Sequence, residues 1–511
     1  MVGENWSQII LYLFLQKSYF NGRRDLLFAN REFGLNKYRK TEVCGLPTVE
    51  ELRSALAGES LNARARIASL FDAQTFVEIG AYTKRGFSDF LSTESANEFE
   101  GVICGYGAID GKLVFAFAED SSRIGGVIDE RHVKKIADLY KLAVENGAPV
   151  IGIFDSNGTD IFEGTAGLAA YGKIMATVSK ASGKIPQIAF VSGKCIGTAA
   201  AIASMFDFIV KSDAAQYYVS SPNVTKIENA QDSTLAFVGT DDDCSGYIRS
   251  LVSFIPDNSS VGIMVSECAD NLNKMLGELD FSGNALSAIS AIADNSVYYE
   301  VAHDFEPGVS TVFATIGGVK CGIIANSFSV NDGKISGSVA RKISKFVNFC
   351  DAFSLPIVTL VDSLGLSVEA ENEKAYFASE LVKLAFAYSS SSVPKVTVIL
   401  GHAIGASFVL LGSKALGADL VYTTDKAEIG ALNAESGVAF AWDQYITLEK
   451  TREDLISEWK STLSSPAVAA ASGEIDDIIS INELRARICS ALLMLSAKGN
   501  SFDFRRKILP L

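Results

Sequence analysis

Two short stretches of this 511-residue chain have the residue types and order that bind negative charge. SGKCIGTAA (192–200) and LGHAIGASF (400–408) each follow an apolar run that reads as a buried strand. Each then passes through glycine into small residues that suit the start of a helix. The first N–H groups of a helix have no intrahelical acceptor, and the helix dipole adds positive potential there. Two such groups aimed at a carbonyl oxygen form an oxyanion hole, worth about 3–4 kcal/mol per donor. Glycine or alanine also lets a substrate approach the backbone. Small residues at one such turn are explained as well by close packing of helix on sheet. The same device at two matched places brings the chemical reading level with the packing one. Side-chain catalysis is poorly supplied by comparison. There is no P-loop, no GxGxxG after a first strand, no GxSxG and no HExxH. The histidines are three, His132, His303 and His402, and His132 falls within a predicted helix, where a solvent-facing or capping role is expected.

The two turns belong to an internal repeat. Residues 109–155 and 316–362 match, pairing Gly111 with Gly318, Lys135 with Lys342, Pro149 with Pro356 and Asp155 with Asp362 at a constant spacing of 207. Beyond them the spacing is 208, pairing Pro186 with Pro394, Gly193 with Gly401 and Gly197 with Gly405. A single one-residue change of register means duplicated domains, and two similar sites can hold two different substrates. Each copy reads β-β-α-β-α-β-α-β. In the first, Gly101–Tyr106 and Leu113–Phe117 are strands joined by an Asp110-Gly111 turn, and Asp129–Glu145 is a helix with an apolar face of Ala137, Leu139, Tyr140, Leu142 and Ala143. Strands at Pro149–Phe154, Gln187–Val191 and Phe206–Val210 alternate with helices at Gly164–Ser182 and Gly197–Met205. The second copy repeats the pattern at Val312–Ile316, Lys320–Asn326, Ser336–Phe353, Pro356–Val361, Glu373–Ser390, Lys395–Leu400, Ile404–Leu416 and Asp419–Tyr422. Alternation predicts an α/β fold with right-handed crossovers and a mostly parallel sheet. The expected plan is an extension over 1–60 and two domains over 61–285 and 286–511, with the linker inside the polar stretch Asn223–Asn284, which includes GTDDDCSG (239–246).

Composition narrows the function. A net charge of −15 argues against a nucleic-acid partner, because binding a phosphate backbone needs a basic surface. No two of the eight cysteines lie closer than 24 residues, which excludes a CxxC zinc or redox pair. No metal is expected. Without a recognisable signal peptide, reduced thiols and a cytoplasmic protein are expected. The apolar run Ile9–Leu15 is too short to span a bilayer. Residues 1–40 hold seven Lys/Arg against three Asp/Glu. They read as an extension upstream of the body, with a basic docking segment as the other possibility. The charged tail from Asp443 is expected to be helical, with a low-complexity stretch SSPAVAAASG (464–473) and a terminal RRKILPL.

Many ordered blocks over 61–511 resemble the carboxyltransferase subunits of biotin-dependent acyl-CoA carboxylases and decarboxylases, of the propionyl-CoA carboxylase β and methylmalonyl-CoA decarboxylase α type. They include LNARARIASLFDAQTFVEIG (61–80), GYGAIDGKLVFAFAED (105–120), IGG (124–126), GAPVIGIFDSNG (147–158), IFEGTAGLAAYG (161–172), CDAFSLPIVTLVD (350–362), VPKVTVIL (393–400) and GSKALGADLVY (412–422). The resemblance implies tandem crotonase-like domains and transfer of a carboxyl group between biotin and a short acyl-CoA. Both the thioester enolate and the biotin ureido oxyanion then need donors, one hole per copy. By the same resemblance Gly197, Thr198 and Gly126 face the thioester oxygen, and Gly405, Ala406 and Ser407 face the biotin carbonyl. Gly125, Gly126 and Lys194 fall in segments expected to bind the acyl-CoA, with Lys84, Arg85 and Arg123 as further basic groups, each alone more often a solvated surface charge. The site is implied to be shared between subunits, from a dimer up to a ring of six. The biotin carrier, and a biotin carboxylase or a membrane decarboxylase β subunit, are implied to be separate chains.

The match is uneven. The family's second Gly-Gly reads Gly197-Thr198 and Gly405-Ala406, and its SGGAR block reads SNGTD (156–160). Its proline-glycine loop reads SLGLSVE (363–369), and its basic helix reads YFASELVK (376–383). Two other functions therefore stand beside the first. One is a non-catalytic scaffold in such a complex. The other is a biotin-independent crotonase-type acyl-CoA enzyme, with Glu163 as a candidate acid or base.

Overall fold

Asp110 and Gly111 both take positive φ, 49° and 77°, and so do Gly317 and Gly318, 58° and 82°. Two residues at positive φ form the tight turn whose twist suits a hairpin. Each pair joins two eight-residue strands: Val102–Ile109 to Lys112–Glu119, and Val309–Ile316 to Val319–Asn326. The computed structural model describes residues 48–57, 62–84, 98–159, 164–226, 235–268, 270–277 and 284–498. The chain forms two compact units, Met1–Glu59 and Ser60–Leu511. In the first unit Val49–Ala57 is a helix. The basic segment 1–40, Arg85, Asp160, Glu163 and the terminal RRKILPL lie outside the described residues.

In the second unit the strands are β1 (Val77–Ile79), β2 (Val102–Ile109), β3 (Lys112–Glu119), β4 (Val150–Phe154), β5 (Gln187–Val191), β6 (Lys194–Ile196), β7 (Phe208–Ser212), β8 (Gln216–Tyr218) and β9 (Leu235–Gly239). They continue as β10 (Tyr298–Val301), β11 (Val309–Ile316), β12 (Val319–Asn326), β13 (Ile357–Ser363), β14 (Lys395–Ile404), β15 (Leu420–Thr424), β16 (Glu428–Gly430) and β17 (Asp477–Ile479). One sheet has the order β1-β2-β3-β4-β5-β7-β9, and the other β10-β11-β12-β13-β14-β15-β17. In each, the first two pairings are antiparallel and the other four parallel. The expected α/β architecture and its duplication are both present.

The crossover helices show why. Helix Glu130–Asn146 starts at Asp129, whose side chain accepts the Arg131 and His132 N–H groups, and ends at Gly147 with φ 62°. Its buried face is Val133, Ile136, Leu139, Tyr140 and Ala143. Leu142, expected on that face, is exposed, because the 3.6-residue period carries it past the edge. The structure also corrects His132. It is fully buried, 3.6 Å from Glu119, and Asp129 does the capping. Lysines at matched places anchor both halves: Lys135 Nζ donates to Val102 O (2.6 Å) and Lys342 Nζ to Val309 O (2.7 Å).

One apolar cluster belongs to the first sheet, one to the second, and a third draws on both. In that shared core the Phe208 ring lies 6.0 Å from Phe313 and 4.6 Å from Phe349. Phe254 stacks on Phe313 at 5.7 Å.

Several local expectations are corrected. Within the polar stretch Asn223–Asn284, GTDDDCSG opens a helix: Thr240 caps Asp241–Phe254, with Asp243 completing the capping box. In the tail, expected to be helical, SSPAVAAASG does contain a helix, Pro466–Ala471. The helix expected over 373–390 is broken, since Tyr376 at φ 61° separates Ala370–Lys374 from Phe377–Ser390. The helix expected over 404–416 gives way to strand up to Ile404, a short helix Ala406–Leu410, and a stop near Gly412 at φ 74°.

Candidate functional site

The two glycine turns have the same backbone geometry. Gly197 has φ 62° and ψ −126°, and Gly405 has φ 57° and ψ −129°. An L-side chain rarely adopts that conformation, so glycine is required at both turns. Each glycine precedes a helix, Thr198–Ala203 or Ala406–Leu410, and no side chain caps either one. The glycine N–H groups themselves are engaged: Gly197 donates to Tyr218 O (2.9 Å) and Gly405 to Gly430 O (2.8 Å). The groups left for a ligand are those of the first helical residues, Thr198 in the first half and Ala406 with Ser407 in the second. None of these three has an acceptor among the described residues. Thr198 is exposed and Ala406 half-buried. The Ser407 side chain is fully buried, its hydroxyl lying 2.8 Å from Ile404 O and 3.2 Å from Ser363 O, so only its backbone can serve a ligand.

An aspartate behind each turn fixes its shape. A Cβ on Gly193 would fall 2.2 Å from the Asp155 side chain, and one on Gly401 2.5 Å from that of Asp362. Asp155 Oδ1 accepts the Lys194 N–H (3.1 Å), and Asp362 Oδ1 accepts the His402 N–H (2.9 Å). Beyond this shared bond the halves differ. Arg66 completes the first, donating to Asp155 Oδ2 (2.8 Å) and to Ser192 O (3.0 Å). His402 completes the second, its Nδ1 lying 2.8 Å from Asp362 Oδ1 and its ring stacked 4.6 Å from Phe328. The bond to Asp362 holds the imidazole above its ordinary pKa, against the opposing effect of burial.

The neighbouring glycines join the first site through a chain of hydrogen bonds. Asn157 N donates to Gly125 O (2.9 Å), Ser156 N to Lys194 O (2.8 Å), and Lys194 Nζ to Asn157 Oδ1 (3.0 Å). Gly125 and Gly126 lie at φ 71° and 64°, and Gly126 N–H is held by Arg123 O (2.9 Å). Gly125, Gly126 and Lys194 are thus brought together, and Gly197 follows directly after β6, the strand that Lys194 begins. Lys194 is exposed, as is needed to meet a phosphate. Arg123 is a correction. It is buried, donates to Glu100 O (2.8 Å) and faces the Phe99 ring, so it is no solvated surface charge. Lys84 also lies over Phe99, 5.9 Å from the ring.

In the second half Asp332 at φ 53° stands where the first has Gly125, and it pairs with Lys334 (2.8 Å). The loop Ser363–Glu369, without prolines, is still tied down, because Ile335 N donates to Gly365 O and Ser367 N to Ile335 O, both at 2.9 Å. Asp155, Asp362, Arg66 and His402 had no assigned role in the sequence reading. The signal was present, since Asp155 and Asp362 are themselves a repeat pair, as are Gly193 and Gly401.

A duplicated α/β body with one glycine turn per half is the architecture of tandem crotonase-like domains. Residues 56–236 and 233–508 match the carboxyl transferase domain family. The α subunit of methylmalonyl-CoA decarboxylase from Veillonella parvula is 33% identical over 464 residues, covering 86% of this chain and 90% of that one. The 12S subunit of methylmalonyl-CoA carboxyltransferase from Propionibacterium freudenreichii subsp. shermanii is 31% identical, covering 85% and 88%. A crystal structure of transcarboxylase 12S, a hexamer with methylmalonyl-coenzyme A bound, superposes with a TM-score of 0.78 at 29% identity, covering 94% and 98%. The chain belongs to the carboxyl transferase family. Among the described residues no helix is long and apolar enough to cross a membrane, and no three metal-ligating side chains cluster.

Proposed function

We propose that this protein is the carboxyltransferase subunit of a biotin-dependent complex and moves a carboxyl group between biotin and a short acyl-CoA of the propionyl or methylmalonyl type. The supporting observation is the pair of glycine turns, equal in φ and ψ to within a few degrees, each presenting unengaged helix N–H groups. At the first turn Thr198 N–H binds the thioester oxygen. Negative charge accumulates there when the α-carbon loses its carboxyl group or proton, and a preorganised donor contributes about 3 kcal/mol to that step. Gly125 and Gly126 let the thioester approach, and Lys194 meets the anionic CoA. At the second turn Ala406 and Ser407 N–H groups fit a carbonyl oxygen, so these residues would hold the biotin ring. Biotin, carried on a separate chain, supplies the group that accepts or delivers the carboxyl. Positioning the two reactants in line supplies much of the rate. The working form is a homo-oligomer, from dimer to hexamer, in the cytoplasm. Its partners are the biotin carrier and either a biotin carboxylase or a membrane decarboxylase β subunit.

The purified protein with free biotin and methylmalonyl-CoA is expected to release propionyl-CoA and carbon dioxide. Absence of turnover with any short acyl-CoA overturns the reading. A scaffold role is the second reading. It is favoured by Asp332, which puts a carboxylate, paired with Lys334, in the loop that matches Gly125. Binding of the carrier chain without turnover would support it.

A further inference from the structure

The two turns place different cations at one equivalent position. Lys194, exposed and hydrogen-bonded to Asn157, follows Gly193 in the first half, and Arg66 neutralises the aspartate behind it. The matching residue in the second half is His402, the residue type that changes charge near neutrality. No arginine or lysine stands at Asp362 among its described contacts, where the imidazole alone supplies the counter-charge.

We propose that His402 is a positioning residue that makes the second glycine turn pH-gated: its imidazolium, held by Asp362, supplies the cation beside that turn, and its neutral form does not. The inference rests on the carboxyltransferase reading and assigns the gate to the half that would hold biotin. The charged groups facing the ring are few. Asp362 comes from β13. Glu428 comes from β16, where it is the register partner of His402. Lys460, from helix Arg452–Thr462, pairs with Glu428 at 3.3 Å. Glu428 also accepts the Ala434 N–H (2.7 Å), so its charge is largely occupied elsewhere. Asp362 therefore dominates, and its hydrogen bond favours the imidazolium. With Nδ1 on Asp362, Nε2 has no protein partner among the described residues, and the ring is one-third exposed. His402 lies on β14, the strand that leads into Gly405.

Three histidines in the chain allow a direct measurement. Histidine-selective ¹⁵N labelling of the full-length protein is expected to show His402 titrating above the ordinary value of about 6.5, with Asp362→Asn lowering the midpoint. Methylmalonyl-CoA decarboxylation with free biotin is expected to decline on the alkaline side at that same midpoint. His402→Lys should move the decline to higher pH. His402→Gln should remove it, with roughly a tenfold loss at pH 6 that appears in the KM for biotin and not in that for the acyl-CoA. An ordinary His402 midpoint, or an alkaline decline unchanged in His402→Gln, overturns the gate while leaving the carboxyltransferase reading intact. The expected titration with no turnover at any pH overturns both. Should Asp362→Asn fail to fold, the two His402 variants carry the test.

Discussion

The halves of this chain share a sheet topology, a hairpin turn, a lysine anchor and a glycine turn, yet the charges behind their glycine turns differ. In the first, Asp155 lies between the Arg66 guanidinium and the Lys194 backbone, and the Lys194 side chain stays exposed. In the second, Asp362 holds both the backbone and the ring of one residue, His402. Backbone geometry survived duplication at the two turns because φ near 60° combined with ψ of −126° to −129° is open to glycine alone. The side chains around it were free to diverge, and the second loop took up Asp332 where the first has Gly125. Shape is therefore common to the two sites, and electrostatics is private to each.

The comparison can be tested at several depths. Phe313→Ala removes a fully buried ring packed against Phe208, Phe254, Phe346 and Phe349 from both halves. It is expected to cost about 3–5 kcal/mol, and urea denaturation should show both halves unfolding together. Separate transitions would mean that the shared core does not couple them. Gly197→Val and Gly405→Val put a branched side chain at φ near 60°, and each is expected to lower kcat/KM about a hundredfold, or roughly 2.7 kcal/mol. The first should act on the acyl-CoA parameters and the second on those of biotin. Equal effects on both substrates would deny the division of labour. Arg66→Met strips Asp155 of its cation where both side chains are largely buried, and a loss of about 1.5–3 kcal/mol in stability is expected. His402→Gln should cost less, at most about 1 kcal/mol, since the imidazole is one-third exposed. Its cost should also depend on pH. The folded-state pKa of His402 is raised, so its contribution is fully present below the unfolded value of about 6.5 and disappears as pH rises through the folded one. A pH-independent difference between wild type and variant would place the effect in packing.

The fold was legible because the repeat counts elements twice. A hairpin at Asp110-Gly111 and another at Gly317-Gly318 leave little freedom to the strands and helices that come after each. Boundaries failed where a local conformation outweighed pattern. Tyr376 at positive φ cuts a helix whose apolar spacing continues across it, and GTDDDCSG reads as part of a polar stretch until Thr240 and Asp243 are seen as a cap. At the site, the glycine turns could be read from small residues after a buried run, but the choice of donor could not. That Gly197 and Gly405 donate to Tyr218 and Gly430 depends on strand partners 21 and 25 residues away (218 − 197; 430 − 405). His132 misled because an isolated polar residue in a helix suggests solvent, whereas Glu119 arrives from a neighbouring strand to meet it.

The shared aromatic core makes each half a cover for the other. A lone copy of the repeat would leave the faces of Phe313 and Phe349, or of Phe208 in the other half, standing in water. Neither half can pull away without wetting its neighbour's rings, so the body that carries one glycine turn is kept dry by the body that carries the other.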